Sequence, residues 1–264
     1  MLDYHIHTTL CGHASGSMEE YIEFALTQPL REIGFSDHLP MIKWAHPEYA
    51  MPFEKLLEYV QRVLALRQTY PQLPIKLGIE ADYYSPAEEA ATRSLLAQHP
   101  FDYVYGSVHF VEDWAIDDPH NLDQWERVGV DTVYELYFAQ LQKAARSGLF
   151  DIVTHTDLPK KFGHRPTKDF SALIETTIRS YKDAGMVVEI NTSGLRKPVK
   201  EMYPAIEILK LLKKYEIPLV FGSDAHAPDQ VGRDFAQARQ MAQACGFTEI
   251  AVFEQRKIVD TYPL

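Results

Sequence analysis

Apolar residues recur along the chain at two spacings, one typical of strands and the other typical of helices. Residues 1–7 alternate as a strand does, and a second group recurs at helical spacing: Met18, Tyr21, Ile22, Ala25 and Leu26. Ser17 and Glu20 have the spacing of a capping box, which marks the start of that helix. The chain is therefore predicted to begin with a β/α unit.

The same alternation continues through most of the sequence. Further strands are predicted at residues 31–38, 75–83, 102–110, 151–158, 186–194 and 218–226, with helical patterns between them. A last helix is predicted over residues 228–244, followed by a short β-like run at residues 249–253. Uninterrupted β/α units favour an α/β fold built as a parallel barrel with seven units, and an open doubly wound sheet is the alternative.

Length and composition narrow the class of protein. A chain of 264 residues is close to the roughly 250 residues of an α/β barrel, which predicts one domain over residues 1–264. No apolar run approaches the roughly 18 residues of a membrane span. No secretory signal is evident in the sequence, so a cytoplasmic location is expected. The only cysteines, Cys11 and Cys245, cannot form a disulfide framework, so reduced thiols are expected.

The net charge of −11 bears on possible partners. Proteins that bind nucleic acid normally carry a basic patch or stripe, so an extended nucleic-acid interface is not expected. An anionic small-molecule substrate would need local positive charge from metals or arginines. No feature of the sequence indicates an oligomeric state.

Potential metal ligands recur where the predicted strands end. Nine residues share this placement: His5, His7, His13, His38, Glu80, His109, His155, Asp224 and His226. A lone histidine is more often structural, and that role is expected for His46, His99, His120 and His164. Seven of the 11 histidines nevertheless fall at one end of a parallel barrel, where active sites lie.

The number of these ligands predicts more than one metal ion. Zinc commonly takes four donors, so nine residues imply two or three ions. Imidazole together with carboxylate suits zinc, iron or manganese, and the residue types do not choose among them.

Several motifs resemble those of the PHP (polymerase and histidinol phosphatase) superfamily. The similar segments are residues 3–8 (DYHIHT), 35–38 (FSDH), 78–83 (GIEADY), 106–110 (GSVHF) and 222–226 (GSDAH). The resemblance runs from residue 3 to about residue 235. Within the superfamily the chain is most similar to the monofunctional histidinol-phosphate phosphatases, because of residues 11–14 (CGHA), 106–110 and 189–197 (EINTSGLRK).

This resemblance implies a distorted TIM-like (β/α)7 barrel with three divalent ions, most readily zinc. By the family's pattern one ion would be held by His5, His7, Glu80 and Asp224, and a second by His13, His38 and His226. Glu80 would bridge to a third ion on His109 and His155. The implied reaction is hydrolysis of L-histidinol phosphate, a small-molecule phosphate ester, by a metal-bound hydroxide.

Two other activities stay open. The first is a PHP phosphoesterase acting on another phosphate ester, such as a nucleotide, a sugar phosphate or phosphotyrosine. The second is an amidohydrolase-like deaminase, which would leave His13, His38 and Glu80 without evident roles.

Two arginines are predicted to bind the phosphate group. Arg165 and Arg196 follow strands on the ligand-bearing face, and arginine can grip phosphate with two hydrogen bonds. Three lysines are weaker candidates: Lys160, Lys161 and Lys197. The organic part of the substrate is expected against loops that carry Trp44, His46, Trp114, Asp117 and His120.

Overall fold

The computed structural model describes residues 1–44 and 48–264. Its strands in chain order are β1 (Leu2–Ile6), β2 (Glu32–Phe35), β3 (Ile75–Asp82), β4 (Tyr103–Ser107), β5 (Phe110–Val111), β6 (Trp114–Ala115), β7 (Ile152–Val153), β8 (Val187–Asn191), β9 (Leu219–Gly222), β10 (Glu249–Glu254) and β11 (Lys257–Pro263). The α-helices are α1 (Met18–Thr27), α2 (Leu56–Thr69), α3 (Glu89–Leu96), α4 (Leu122–Val128), α5 (Val130–Ser147), α6 (Ser171–Asp183), α7 (Ile206–Lys214) and α8 (Phe235–Ala244).

Seven parallel strands form the main sheet, in the order β1-β2-β3-β4-β7-β8-β9. The first and last strands meet just beyond their C-terminal ends, where His7 N donates to Ala225 O at 2.9 Å and Ala225 N donates to His5 O at 3.2 Å. These bonds nearly close the sheet into a barrel. The TIM-like (β/α)7 prediction is therefore confirmed, and the open doubly wound sheet was the wrong alternative.

Aromatic rings fill the barrel near the N-terminal ends of its strands. Tyr4 and Tyr103 stack with ring centroids 4.9 Å apart, and the Tyr103 hydroxyl donates to Tyr4 O at 2.7 Å. A methyl group at Gly34 or Gly78 would overlap the Tyr103 ring, so these strands carry glycine where the ring crosses the barrel. The opposite end is left for polar side chains.

An antiparallel hairpin of β10 and β11 lies against the N-terminal end of the barrel. Phe253 in β10 packs its ring 6.2 Å from that of Tyr103. At the turn, Arg256 donates to both carboxylate oxygens of Asp151, at 2.9 and 3.0 Å, just before β7. The hairpin thus covers the end of the barrel that faces away from the predicted ligands.

Some predicted elements differ in extent from those observed. The capping box is confirmed, since Ser17 N donates to Glu20 Oε2 at 2.6 Å and Glu20 N donates back to Ser17 Oγ. The strand predicted at residues 151–158 shrinks to β7, because His155 has a φ of 21° and leaves the extended conformation. The helix predicted from residue 228 begins at Phe235, after a 3₁₀ turn.

Two further differences concern strands outside the main sheet. The segment 111–123, which contains the Trp114, Asp117 and His120 expected on loops, begins within a small hairpin of β5 and β6 and then continues into α4. β11 was not predicted at all.

The larger of two hydrophobic clusters among the described residues runs from Leu2 in β1 to Phe253 in β10. The organisation of residues 1–264 as a single domain stays a prediction, which this continuity supports. Among residues 1–44 and 48–264, no helix combines the length and apolarity needed to cross a membrane.

Candidate metal centre

All nine predicted ligands meet at the C-terminal ends of the barrel strands. Seven of them line a cavity of about 610 Å³: His13, His38, Glu80, His109, His155, Asp224 and His226. His5 and His7, from β1 and the residue after it, lie buried beside the same cluster at 0% and 1% exposure. Each side chain arrives there because parallel strands present their following loops on one face.

Glu80 in β3 lies at the middle of the cluster. Its Oε2 is 3.2 to 3.5 Å from ring nitrogens of three histidines, His5, His7 and His38. Its Oε1 is 3.3 Å from His155 Nε2 and 3.7 Å from His109 Nε2. One buried carboxylate therefore faces two groups of imidazoles, as a bridging ligand would.

Two histidine pairs turn their ring nitrogens towards each other. His13 Nε2 lies 3.0 Å from His226 Nε2, and His109 Nε2 lies 3.1 Å from His155 Nε2. His226 follows Asp224, whose Oδ1 is 3.2 Å from His7 Nε2. These contacts join residues from both ends of the chain.

The donor set fits divalent metal ions. Donors about 2.1 Å from one tetrahedral zinc lie roughly 3.4 Å apart, close to the separations in this cluster. His7 Nε2 and Glu80 Oε1 are buried and have no hydrogen-bond partner among the described residues. Three of the residue groups with suitable spacing contain only predicted ligands: His5, His7 and Glu80; His7, His38 and His226; and His38, Glu80 and His109.

Cys11 also lies at the edge of this cluster, although no ligand role was predicted for it. Its buried Sγ is 3.8 Å from His13 Nε2 and donates to Thr8 O at 3.1 Å. With His13 and His226 it has spacing suitable for a metal ion.

Charges within the cluster keep its carboxylates ionised. Burial alone would raise the pKa of Glu80, but the charges of His38 and His5 outweigh it and hold that pKa well below its usual range. The pKa of Asp224 is lowered in the same way, since His5 and His7 outweigh its burial. The site therefore holds two anionic oxygen donors at neutral pH.

Further carboxylates lie behind three of the histidines. His5 Nδ1 is 2.6 Å from Glu189 Oε1, and His109 Nδ1 is 3.0 Å from Asp82 Oδ1. Asp37 Oδ1 lies 3.4 Å from His7 Nδ1. Burial would lower the pKa of His109, but Asp82 reverses this and raises it to about 10. Such partners fix the ring orientation and tautomer of metal-binding histidines.

These outer carboxylates were given no role by the sequence analysis. Glu189 stands in β8 among apolar residues, and all five residues of that strand are buried. A charged residue among the apolar residues of a strand is expected to have a buried polar partner, and the sequence offers that hint of a role for Glu189. The sequence alone does not say which residue that partner is.

Two candidate ligands have unusual backbone conformations. His155 has a φ of 21° and Asp224 a φ of 51°, values that residues other than glycine rarely adopt. Such strain collects at functional sites, where the surrounding structure holds it in place.

The two arginines predicted to bind phosphate lie outside the cavity wall. Arg165 is half exposed, and its guanidinium donates to Glu201 Oε1. Arg196 donates to Ser223 O at 2.6 Å. Lys161 and Lys197 do line the cavity. The phosphate-binding role of Arg165 and Arg196 stays a prediction.

The third lysine, Lys160, is buried and not part of the cavity wall. Its Nζ lies 2.8 Å from Asp157 Oδ2 and donates to Met202 O at 2.7 Å, contacts that give it a structural role.

Only some of the residues expected around the organic part of the substrate line the cavity. Asp117 and His120 line the cavity, so the structural role expected for His120 does not account for its position. Trp114 instead packs edge-on against Trp125, and Trp44 packs against Phe110 with ring centroids 5.1 Å apart. His46 lies outside the described residues.

Two other histidines lie away from the metal cluster. His164 stacks on Trp125 with ring centroids 4.0 Å apart, and His99 packs edge-on against Phe101. Both contacts agree with the structural roles expected for them.

The fold and the cluster define an α/β barrel with a candidate multinuclear metal centre at the C-terminal ends of its strands. The chain belongs to the PHP domain family, whose model matches residues 3–193. A PHP-associated model matches residues 207–250.

Named relatives extend over nearly the whole chain. It is 39% identical to the "Probable histidinol-phosphatase" of Deinococcus radiodurans over 98% of each protein. It is 31% identical to the histidinol-phosphatase of Bacillus subtilis, over 87% of this chain and 95% of that one. The structure matches a histidinol phosphate phosphatase of Lactococcus lactis, complexed with zinc, L-histidinol and phosphate, with a TM-score of 0.85 at 21% identity over 98% of each chain.

Proposed function

We propose that this protein is a metal-dependent phosphomonoesterase that hydrolyses L-histidinol phosphate to L-histidinol and phosphate. The observation that carries the reaction class is the convergence of seven histidines with Glu80 and Asp224 at one cavity. Phosphate monoesters hydrolyse extremely slowly without a catalyst, and clustered divalent ions counter that difficulty.

The choice of substrate rests on the relatives. Two proteins that are 39% and 31% identical to this chain, over most of both lengths, are named as histidinol-phosphatases. The Lactococcus lactis neighbour was crystallised with L-histidinol and phosphate, the two products of this reaction. These names favour histidinol phosphate over nucleotides, sugar phosphates or phosphotyrosine.

The nine clustered residues would hold three divalent ions, and zinc is the first choice. The grouping we propose is His5, His7, Glu80 and Asp224 for one ion, His13, His38 and His226 for another, and Glu80, His109 and His155 for the last. Bound divalent ions lower the pKa of a water molecule towards neutrality and neutralise phosphoryl oxygens. Glu80 suits a shared position because each of its oxygens faces a different group of histidines.

The cavity wall offers two lysines for the phosphate group. Lys161 Nζ lies 2.9 Å from Asp117 Oδ2 and also donates to Asp117 O at 2.7 Å, which holds the ammonium at the wall. Burial alone would raise the pKa of Asp117, but Lys161 outweighs it and lowers that pKa to about 2. Lys197 lines the cavity nearby. An ammonium group can donate charge-assisted hydrogen bonds to phosphate oxygens.

Acidic side chains also line the cavity and would meet the amino and imidazole groups of the substrate. Glu48 and Asp118 belong to this lining, together with His120. Asp118 accepts from the Tyr49 hydroxyl and from His120 N at 2.8 Å, so its carboxylate is held in place. A site with phosphate-binding lysines and separate carboxylates matches a substrate that carries both signs of charge.

The test is phosphate release by purified protein whose metal content has been measured. L-Histidinol phosphate, AMP and p-nitrophenyl phosphate are compared at equal concentration, with and without prior removal of metal by a chelator. We expect the highest kcat/KM on histidinol phosphate, loss of activity after chelation and recovery with zinc or manganese. No turnover of histidinol phosphate by protein with about three ions bound would refute the substrate.

A further inference from the structure

Glu189 is a buried carboxylate in β8 that belongs neither to the cavity wall nor to the predicted ligands. Its side chain has 0% exposure, and four hydrogen bonds converge on it. Oε1 lies 2.6 Å from His5 Nδ1. Oε2 accepts from Thr154 Oγ1 at 2.5 Å, Asn191 Nδ2 at 3.0 Å and His155 N at 3.2 Å.

These contacts determine where the His5 ring carries its proton. Three donors face Oε2 and His5 Nδ1 lies 2.6 Å from Oε1, so the side chain of Glu189 is surrounded by donors and His5 Nδ1 is placed to donate to it. The other ring nitrogen, Nε2, points at the cluster, 3.3 Å from Glu80 Oε2, and in a neutral ring it is the nitrogen without a proton. A neutral imidazole binds metal through such a nitrogen.

We propose that Glu189 is a positioning residue that holds His5 in the Nδ1-protonated tautomer, with Nε2 available to a metal ion. The inference rests on the metal centre of the proposed function. It concerns a residue outside that centre.

The same carboxylate also supports two other candidate ligands. His155 N donates to it, which helps hold the backbone of His155 at its φ of 21°. Asn191 Nδ2 lies between Glu189 Oε2 and Asp224 Oδ2, 3.0 Å from the first and 3.3 Å from the second. Glu189 therefore links a ligand in β1 to ligands that follow β7 and β9.

The neighbouring strand leaves space for this carboxylate. A methyl group at Gly222, the last residue of β9, would overlap Glu189 Oε1 and lie 2.6 Å from His5 Cβ. Any side chain at this position would displace the pair of residues that the inference concerns.

Glutamine has nearly the same volume as glutamate but carries an NH₂ donor. Substitution of Glu189 by glutamine should therefore change where the His5 proton lies with little change in packing. Three donors already face Oε2, so the oxygen of the introduced amide is best placed there and its NH₂ faces His5 Nδ1. His5 would then accept at Nδ1 and carry its proton on Nε2. That tautomer cannot bind a metal through Nε2.

The experiment measures zinc affinity and histidine tautomers in the full-length protein. For E189Q we expect one zinc ion to bind about 10 to 100-fold more weakly than in wild type, because outer partners of metal ligands have effects of that size. In zinc-loaded wild type labelled with ¹⁵N-histidine, two-bond ¹H–¹⁵N correlations should place the His5 proton on Nδ1. The His5 signals are assigned by comparison with His5→Gln.

Glu32→Gln is the matched control. Glu32 is also a buried glutamate on a barrel strand, but it lies at the other end of the barrel, bonded to the Tyr4 hydroxyl. E32Q should lose stability without change in zinc affinity or in the His5 tautomer. If E189Q does not fold, a His5 proton on Nε2 in zinc-loaded wild type would still overturn the proposal.

The outcomes separate this inference from the proposed function. A His5 proton on Nε2 in zinc-loaded wild type, or wild-type zinc affinity in folded E189Q, overturns the role of Glu189 even if the enzyme is active. Normal placement of the proton and weakened zinc binding support it even if histidinol phosphate proves not to be the substrate. A wild-type protein that binds no zinc refutes both.

Discussion

Lys197 and Arg165 take different positions at the cavity, although both lie in segments that follow a barrel strand. Lys197 is part of the cavity wall, and burial lowers its pKa. Arg165 is half exposed and paired with Glu201, so its charge is already balanced outside the cavity. Whether a side chain lines the cavity, more than whether it is lysine or arginine, should decide which cation binds the phosphate group.

We expect Lys197→Met to raise KM for histidinol phosphate by about 10 to 100-fold, the equivalent of a charge-assisted hydrogen bond worth about 1.5–3 kcal/mol. The value of kcat should change less, because the metal cluster is untouched. Arg165→Met and Arg196→Met, tested beside it, should also raise KM if the predictions for them hold. Lys257→Met, on the distant β11, is the control. Unchanged kinetics in any of these three variants at positions 165, 196 and 197 would remove that residue from the phosphate site.

Gly222→Ala should lower both stability and zinc affinity. The added methyl group would crowd Glu189 and His5, which are fully buried, and overpacking of that kind costs about 1–3 kcal/mol. Gly148→Ala, at the end of α5, is the matched control: its φ of 64° makes alanine strained there, so stability should fall, but among the described residues no atom lies within 4 Å of the added group and zinc affinity should not change. Thermal unfolding and zinc titration of both variants are the measurements. Wild-type zinc affinity in G222A would contradict the expectation.

At the level of single residues, the sequence showed the candidate ligands more clearly than their supports. His38, His109 and Asp224 could be recognised because they follow strands, and a parallel barrel gathers strand ends at one face. Glu189 lies inside β8, so only the three-dimensional pairing reveals that it faces His5. The cavity positions of Lys161 and Lys197 likewise depend on loop conformation, which residue spacing does not determine.

Among the elements, strands with a buried apolar pattern were predictable and those without one were not. β3 could be recognised within residues 75–83, because its apolar residues alternate with others along a segment in which six of the eight residues are buried. β11 has no buried residue, and its pairing with β10 depends on main-chain hydrogen bonds. The short β7 has a physical cause in the backbone turn at His155, which places that side chain in the cluster.

The hairpin of β10 and β11 is expected to stabilise the barrel without affecting catalysis. Arg256→Met removes two hydrogen bonds to Asp151 and one of 2.6 Å to Leu149 O, and should lower the free energy of unfolding by about 1–3 kcal/mol. Urea unfolding measures this loss, and Lys257→Met, at the next residue and the start of β11, should stay within about 0.5 kcal/mol of wild type. Kinetic constants should not change, since the hairpin lies at the other end of the barrel. A large fall in kcat for R256M would show that the two ends are coupled.

Across the whole molecule, the candidate centre joins the first strand to the last. His7 lies just after β1, and its Nε2 is 3.2 Å from Asp224 Oδ1, just after β9. The same seam carries the main-chain bonds between His5, His7 and Ala225 that nearly close the barrel. Ions bound to these side chains would therefore tie together the two edges of the sheet.

Removal of metal should consequently lower the melting temperature of the whole barrel. One ion present at 100 times its Kd stabilises the folded state by about 2.7 kcal/mol, which corresponds to roughly 5–10 °C for a protein of this size. Calorimetry of chelator-treated and zinc-loaded protein measures the shift.

Hydrogen exchange should quicken most in peptides that contain His7 and Ala225, because their mutual bonds lie beside the centre. The loss of unfolding free energy should add to that of R256M, since the contacts described for residues 1–44 and 48–264 show no residue bonded to both Arg256 and the metal cluster. Equal melting temperatures with and without zinc would show that the ions do not hold this seam.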